Sequence, residues 1–207
     1  MRDAYIVFPH QLFAEPPIPR GISTVGLLEE PLLFTQYRFH RAKLVYHRAT
    51  MQFYAGHLRE RGYEVRYREA ASLVGAGPRD PAPLATFIGE LLAVADGDDS
   101  PGGAGRLYLV DPVDDWLGQK VAEAAAEAGA QLVILDSPGF LNRGEERRRW
   151  VKGRRRLYMA EFYRSERESR GILMERDGPL GGKYSFDPEN RKKLPKGQTI
   201  PKAPSWK

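Results

Sequence analysis

Two sets of polar side chains in this sequence are spaced so that one fold can bring them together. His10 and Gln11 follow directly on the apolar run Ala4-Tyr5-Ile6-Val7-Phe8 and its closing Pro9. Gln36, His40, Lys43 and His47 recur at helical period, with Tyr37 among them. Carboxylates stand at the ends of further apolar runs: Glu29, Glu30, Asp111 and Asp136. Such groups can hold a metal, move protons, or hydrogen-bond a small molecule. The metal role is weak, because residues seven apart on a helix lie roughly 10 Å apart along its axis, too far for one zinc ion. Paired carboxylates suit acid–base work, but at strand ends they more often cap the next helix or loop. No Gly-x-Gly-x-x-Gly follows the first apolar run and no Walker sequence is present, which disfavours a conventional dinucleotide or P-loop site. No nucleophile–base arrangement can be read either, so no catalytic residue and no metal ligand is assigned. Binding remains. The candidate contacts for a small molecule are His10, Gln11, Glu29, Gln36, Tyr37, His40, Asp111 and Trp116.

The elements that must position these residues alternate along the chain. Residues 4–8 form a continuous apolar run, expected as a strand buried on both faces. A second strand is expected over 23–28. Residues 34–51 read as a loop end and the first half of a long helix reaching residue 61, where Gly62 supplies a C′ position. Leu44, Met51 and Leu58 repeat every seven residues, with Val45, Tyr54 and Ala55 beside them, as an apolar stripe. A third strand over 63–68, a turn over 75–80, a helix over 81–94, and a surface connection over 96–105 follow. Then come a fourth strand over 106–110, a helix through Trp116, Leu117, Val121 and Ala125, and a fifth strand over 131–135. Alternating strands and helices with apolar strands predict a doubly wound, five-stranded parallel α/β sheet of Rossmann-like type. In that architecture ligands bind at the carboxyl ends of the strands, which is where His10 stands.

Beyond residue 140 the pattern changes. Helices are expected over 145–156 and 157–170, both heavily charged, followed by a proline-rich tail read as extended. The expected organisation is an α/β domain over 1–140, a basic helical extension over 141–175 packed on it, and a linker-like tail over 176–207. Residues 143–207 hold 19 Lys/Arg against 9 Asp/Glu, while residues 1–142 hold 13 against 18. A basic third on an acidic body suggests an anionic partner, and nucleic acid is the usual one. Arg147, Arg148, Lys152, Arg154, Arg155, Lys183 and Arg191 are the candidate phosphate contacts. There are no cysteines, which excludes disulfides, thiolate nucleophiles and Cys-ligated clusters within this chain. No apolar run is long enough to span a bilayer or to serve as a signal peptide, so a cytoplasmic location and no membrane partner are expected.

Four blocks resemble a known family. They are the first strand with His10-Gln11-Leu12, the segment Gln36 to Leu44 running into His47-Arg48-Ala49-Thr50-Met51, the segment Arg154 to Arg164, and Gly181-Gly182-Lys183-Tyr184-Ser185-Phe186-Asp187-Pro188-Glu189-Asn190-Arg191-Lys192. Together the chain resembles the N-terminal domain of deoxyribodipyrimidine photolyase-related proteins, the bacterial iron–sulfur (6-4) photolyases and cryptochromes. The resemblance implies an antenna-type domain that holds a light-harvesting cofactor, a ribityl-lumazine in some members, and serves light-dependent DNA repair or blue-light sensing. His10 stands where lumazine-binding members carry an acidic residue. Leu33 and Gln36 stand where those members carry acidic and tyrosine positions. Another chromophore or a nucleotide is thus an open alternative. FAD and a 4Fe-4S cluster are expected only in a helical domain downstream, a possible partner of this one, so that this chain by itself is not expected to repair DNA. The alternative reading is a stand-alone nucleic-acid-binding module that uses the basic C-terminal third.

Overall fold

The structure, a computed structural model, describes residues 2–73, 77–96, 105–199 and 201–203. The chain divides into two compact units, residues 1–143 and 144–207. The expected surface connection falls almost wholly on residues outside the described set, as does the start of the turn expected over 75–80.

In the first unit, strands β1 (Asp3–Val7), β2 (Thr24–Leu28), β3 (Glu64–Arg68), β4 (Arg106–Val110) and β5 (Gln131–Leu135) form one sheet in the order β3-β2-β1-β4-β5. Every pairing is parallel. Helices α1 (Pro31–Phe34), α2 (Arg41–Glu60), α3 (Ala82–Asp96) and α4 (Asp115–Glu127) supply the crossovers after β2, β3 and β4, while residues 8–23 join β1 to β2 without a helix. The predicted doubly wound α/β sheet is therefore the fold.

Alternation along β1 divides the core. Ala4, Ile6 and Phe8 join Leu84, Phe87, Ile88 and Leu91 of α3 and Leu117, Val121 and Ala124 of α4. Tyr5 and Val7 turn to the other face, where Met51, Tyr54, Ala55 and Leu58 of α2 cover them together with Val25 and Leu27. Gly26 sits mid-strand because α3 packs close. A Cβ there would lie 2.4 Å from Leu91 Cδ1 and 3.1 Å from Phe87 Cε1.

Some expectations need correction. The helix predicted from the segment after residue 34 begins only at Arg41, because His40 caps it, its Nδ1 accepting the Ala42 N–H at 3.1 Å. Gln36 therefore precedes the helix and does not share a face with Lys43 and His47. Val45, read with the apolar stripe, is 63% exposed, because it lies on the side of α2 turned from the sheet. The fifth strand is an edge strand and only part-buried, with Ile134 at 55% exposure. Gly62, at φ 88°, ends α2 as its composition predicts.

In the second unit, helices α5 (Gly144–Val151) and α6 (Met159–Arg170) are followed by a short antiparallel pair, β6 (Met174–Glu175) with β7 (Gly178–Pro179), and by α7 (Asp187–Asn190). The first of these stops five residues before its predicted end, short of Gly153 in the left-handed region at φ 78°. The segment read as extended thus carries short elements of its own. Arg167 organises them. It is 5% exposed, donates to the carbonyls of Ile172 at 3.2 Å and Tyr184 at 3.1 Å, and also bonds that of Leu173. One buried guanidinium, with its several fixed donors, so ties α6 to the hairpin and to the block around Tyr184.

Candidate functional site

The strand order reverses between β1 and β4. Their following loops leave in opposite directions and open a crevice, the usual ligand position in such sheets. A cavity of about 300 Å³ lies there, lined by His10, Leu32, Leu33, Gln36, Pro112, Val113, Asp114 and Leu117. Of the candidate contacts, the structure brings His10 and Gln36 to this cavity. Gln11, Glu29, Tyr37, His40, Asp111 and Trp116 are not in its lining, and each has another occupation.

Gln11 is 3% exposed and joins β1 to β4. Its amide nitrogen donates to the Val110 carbonyl at 2.8 Å and its oxygen accepts the Phe8 N–H at 3.4 Å. Glu29 is fully buried. Arg48 binds it through two parallel bonds of 2.7 and 2.6 Å, the Tyr67 hydroxyl donates at 2.7 Å, and the Ala70 N–H donates at 2.9 Å. Burial pushes its carboxyl up, but these donors outweigh it and hold it below the usual carboxylate range. His40 is the cap of α2. Tyr37, 61% exposed, meets Phe39 edge to face. Trp116 lies beneath the Arg79 guanidinium, 4.0 Å from its ring centroid. Asp111 Oδ1 accepts the Val113 N–H at 2.9 Å, and Asp114 Oδ1 accepts the Leu117 N–H at 2.8 Å as the cap of α4. Strand-end carboxylates here do the capping work that their position favours.

The His10 ring bridges the two loops. Its Nε2–H donates to the Pro112 carbonyl at 3.0 Å, which leaves the neutral ring's Nδ1 as an acceptor. His10 sits at the rim, exposed to solvent on one side. Loss of water around the ring still lowers its pKa, against the opposing pull of the Pro112 carbonyl and Asp114. His47 behind it is also held low, by burial, then by Lys43 and by His10 itself. Both imidazoles are neutral at pH 7. Val113, on the cavity wall, has φ 60°, a strained conformation for a β-branched residue that concentrates at binding sites.

Sequence reasoning named Leu33 only through the family resemblance and missed Leu32, Pro112, Val113, Asp114 and Leu117 as lining residues. The signal for them was the position of two loops after β2 and β4, which becomes readable only once the strand order is known. It named Glu30 as a strand-end carboxylate but missed its buried partner. Lys120, 4% exposed, donates to Glu30 Oε1 at 2.6 Å and to the Pro78 carbonyl at 3.0 Å. Glu30 Oε2 is buried without a hydrogen-bond partner among the described residues. Desolvation raises the Glu30 pKa despite Lys120.

A cavity with five apolar side chains, one imidazole acceptor, one amide and one carboxylate suits a small planar heterocycle with a polar edge. It holds no nucleophile paired with a base. About 300 Å³ is at the small end of ligand pockets, too small for FAD, and a chain without cysteine offers no thiolate to an iron–sulfur cluster. Among the described residues no group of three or more His, Asp or Glu is placed to hold a metal ion, and no helix is long and apolar enough to cross a membrane.

In the second unit Arg147, Arg148, Lys152, Arg154, Arg155, Lys183 and Arg191 are exposed. Arg154 is partly spent, stacked 4.3 Å from the Trp150 ring centroid and paired with Glu161 at 3.3 Å.

Comparison with known proteins adds the family. The description "Deoxyribodipyrimidine photo-lyase-related protein" belongs to a family whose profile matches residues 5–207. An uncharacterised protein of Acanthamoeba polyphaga mimivirus is 29% identical over 206 residues, which is 94% of this chain and 96% of that protein. A (6-4) photolyase of Agrobacterium fabrum is 32% identical over 165 residues, 80% of this chain but 30% of that protein. The chain therefore spans less than a third of the photolyase and nearly all of the viral relative. With nearly every residue inside the matched profile, this chain belongs to the deoxyribodipyrimidine photo-lyase-related protein family.

Proposed function

We propose that the first unit is an antenna-type domain, which binds a small planar chromophore in the cavity between the β1 and β4 loops and serves light-dependent DNA repair or blue-light sensing. The observation that carries this reading is the cavity's place at the reversal of strand order, with His10 and Gln36 on its wall. Family membership and the partial match to a (6-4) photolyase support a role tied to light. The role assigned to this chain's residues is to hold and orient the guest. Leu33 and Leu117 flank the ring, and His10 Nδ1 and Gln36 meet its polar edge. The reaction centre, a flavin with an iron–sulfur cluster, would belong to a helical partner domain.

Titration of the purified chain with riboflavin and with a ribityl-lumazine, followed by quenching of ligand fluorescence, tests this. Saturable binding is expected for at least one. Leu33→Trp, which fills the cavity from a half-buried position, should abolish it while leaving the far-ultraviolet circular dichroism unchanged. Equal binding by parent and variant, or none by either, sinks the reading.

A second reading rests on the exposed arginines of residues 144–207, which fit a phosphate backbone. On it the protein binds nucleic acid in a cell compartment where DNA or RNA is available, the cytoplasm being the expected one.

A further inference from the structure

We propose that the solvent face of α2, with the turn that leads into it, is a platform for single-stranded nucleic acid, distinct from the cavity and from the arginines of the second unit. The buried side of α2 is Met51, Tyr54, Ala55 and Leu58. Diametrically opposite run Ala42, Tyr46, Ala49 and Phe53, at spacings of four, three and four, which place them on one outward ridge. Tyr46 is 69% exposed and Phe53 is 79% exposed, with Val45 beside them. A row of large rings turned to water along one helix marks an interaction surface.

Charge decides the partner. Residues 31–59 contain no Asp or Glu and five Lys/Arg, while the remainder of residues 1–142 hold 8 Lys/Arg against 18 Asp/Glu. Arg48 is bound to Glu29 on the inner side. Arg38, Arg41, Lys43 and Arg59 are exposed around the ridge. The exposed rings thus stand in the one acid-free stretch of this length on an acidic body. A second copy pairing antiparallel on this ridge would offer the cations of α2 a single carboxylate, Glu60 at the end of the helix, too few to balance Arg41, Lys43 and Arg59. A neutral apolar helix would leave the cations without counter-charges. A polyanion that also offers flat faces matches both features. At the start of α2 the two features already meet. Tyr37 and Phe39 lie edge to face at 5.8 Å, and the Lys43 ammonium sits 3.8 Å from the Phe39 centroid. Rings that stack on bases and cations that track phosphates make up the single-strand recognition surface. A duplex keeps its base faces sealed in its own stack, so the rings select unpaired strands.

The test uses the full chain and fluorescein-labelled oligodeoxythymidylate of about a dozen nucleotides, read by fluorescence anisotropy between about 50 and 200 mM salt. Binding that weakens steeply with salt is expected. Tyr46→Ala with Phe53→Ala should weaken it roughly tenfold or more at fixed salt, with the slope against salt unchanged, since no cation is lost. Arg41→Gln with Lys43→Gln should instead flatten that slope. Both pairs are exposed, and an unaltered thermal melt confirms the fold. The ring loss should persist in a chain carrying Arg148→Gln and Arg155→Gln, which separates the platform from the basic second unit. Equal affinity of the ring variant and the parent, tighter binding to duplex than to single strand, or no binding at low salt would each overturn the proposal and give this face to a protein partner.

Discussion

Side chains of the same type do opposite things in this molecule because of what surrounds them. Glu29 and Glu30 are neighbours, both fully buried. Glu29 receives four donors and is held ionised. Glu30 receives one ammonium and one N–H, and is pushed toward its neutral form. The stability that Glu29 contributes is present above the unfolded carboxyl pKa of about 4.3 and is lost as pH falls through its lower folded value. The Glu30 contribution has the other sign and declines as pH rises through its raised folded value. Glu29→Gln should therefore cost about 1 to 2 kcal/mol at pH 7, because the buried amide cannot satisfy all the donors that met the carboxylate while Arg48, 39% exposed and near Glu69, regains water, and the loss should shrink when urea melts are repeated toward pH 3. Lys120→Met should cost about 3 kcal/mol by leaving Glu30 alone. Adding Glu30→Gln to it should recover most of that loss, because the neutral amide removes the buried unpaired charge. A double variant no more stable than the single one would contradict the account of this pair. His10 gives a third test. Burial keeps its ring neutral at pH 7, with Asp114 and His47 as the charged or titratable groups that act on it. A guest that donates to Nδ1 should bind evenly through neutral pH and weaken below the ordinary imidazole value of about 6.5, measured by the same fluorescence titration at stepped pH.

At the scale of elements, helix ends and close packing set what the loops can do. Asp114 caps α4 and so fixes the loop that forms one cavity wall. Asp114→Ala should lower stability by about 1 kcal/mol and loosen guest binding with it, two effects that melts and titration read separately. Gly26 lets α3 approach the sheet, and Gly26→Val should cost about 1 to 3 kcal/mol by overpacking against Leu91 and Phe87. A neutral effect on the urea midpoint would show that α3 can shift outward. The order of elements was legible because each strand is a short apolar run and each helix carries its own stripe. The boundaries of β4 and β5 were read to the residue. The start of α2 was not, since a histidine cap looks like one more member of a helical period until its Nδ1 is seen on the Ala42 N–H.

For the whole molecule, the amino-acid order alone determined the α/β class, the five strands, the family resemblance carried by local blocks, and which residues close the strands at their carboxyl ends. All of these depend on neighbours within a few turns of chain, or on composition. Only the tertiary structure decided which residues meet. The Gln11 clamp onto Val110 spans 99 positions and the Glu30–Lys120 pair spans 90, and no local pattern encodes such partners. The strand order put the β1 and β4 loops side by side, so His10 and Gln36 came to a shared cavity while Glu29 was drawn into the interior. The same packing chose which side of α2 faces the sheet, and thereby left Tyr46 and Phe53 in water. Periodicity marks a face, but burial assigns it, because the energy that selects a face comes from surfaces brought together across the chain.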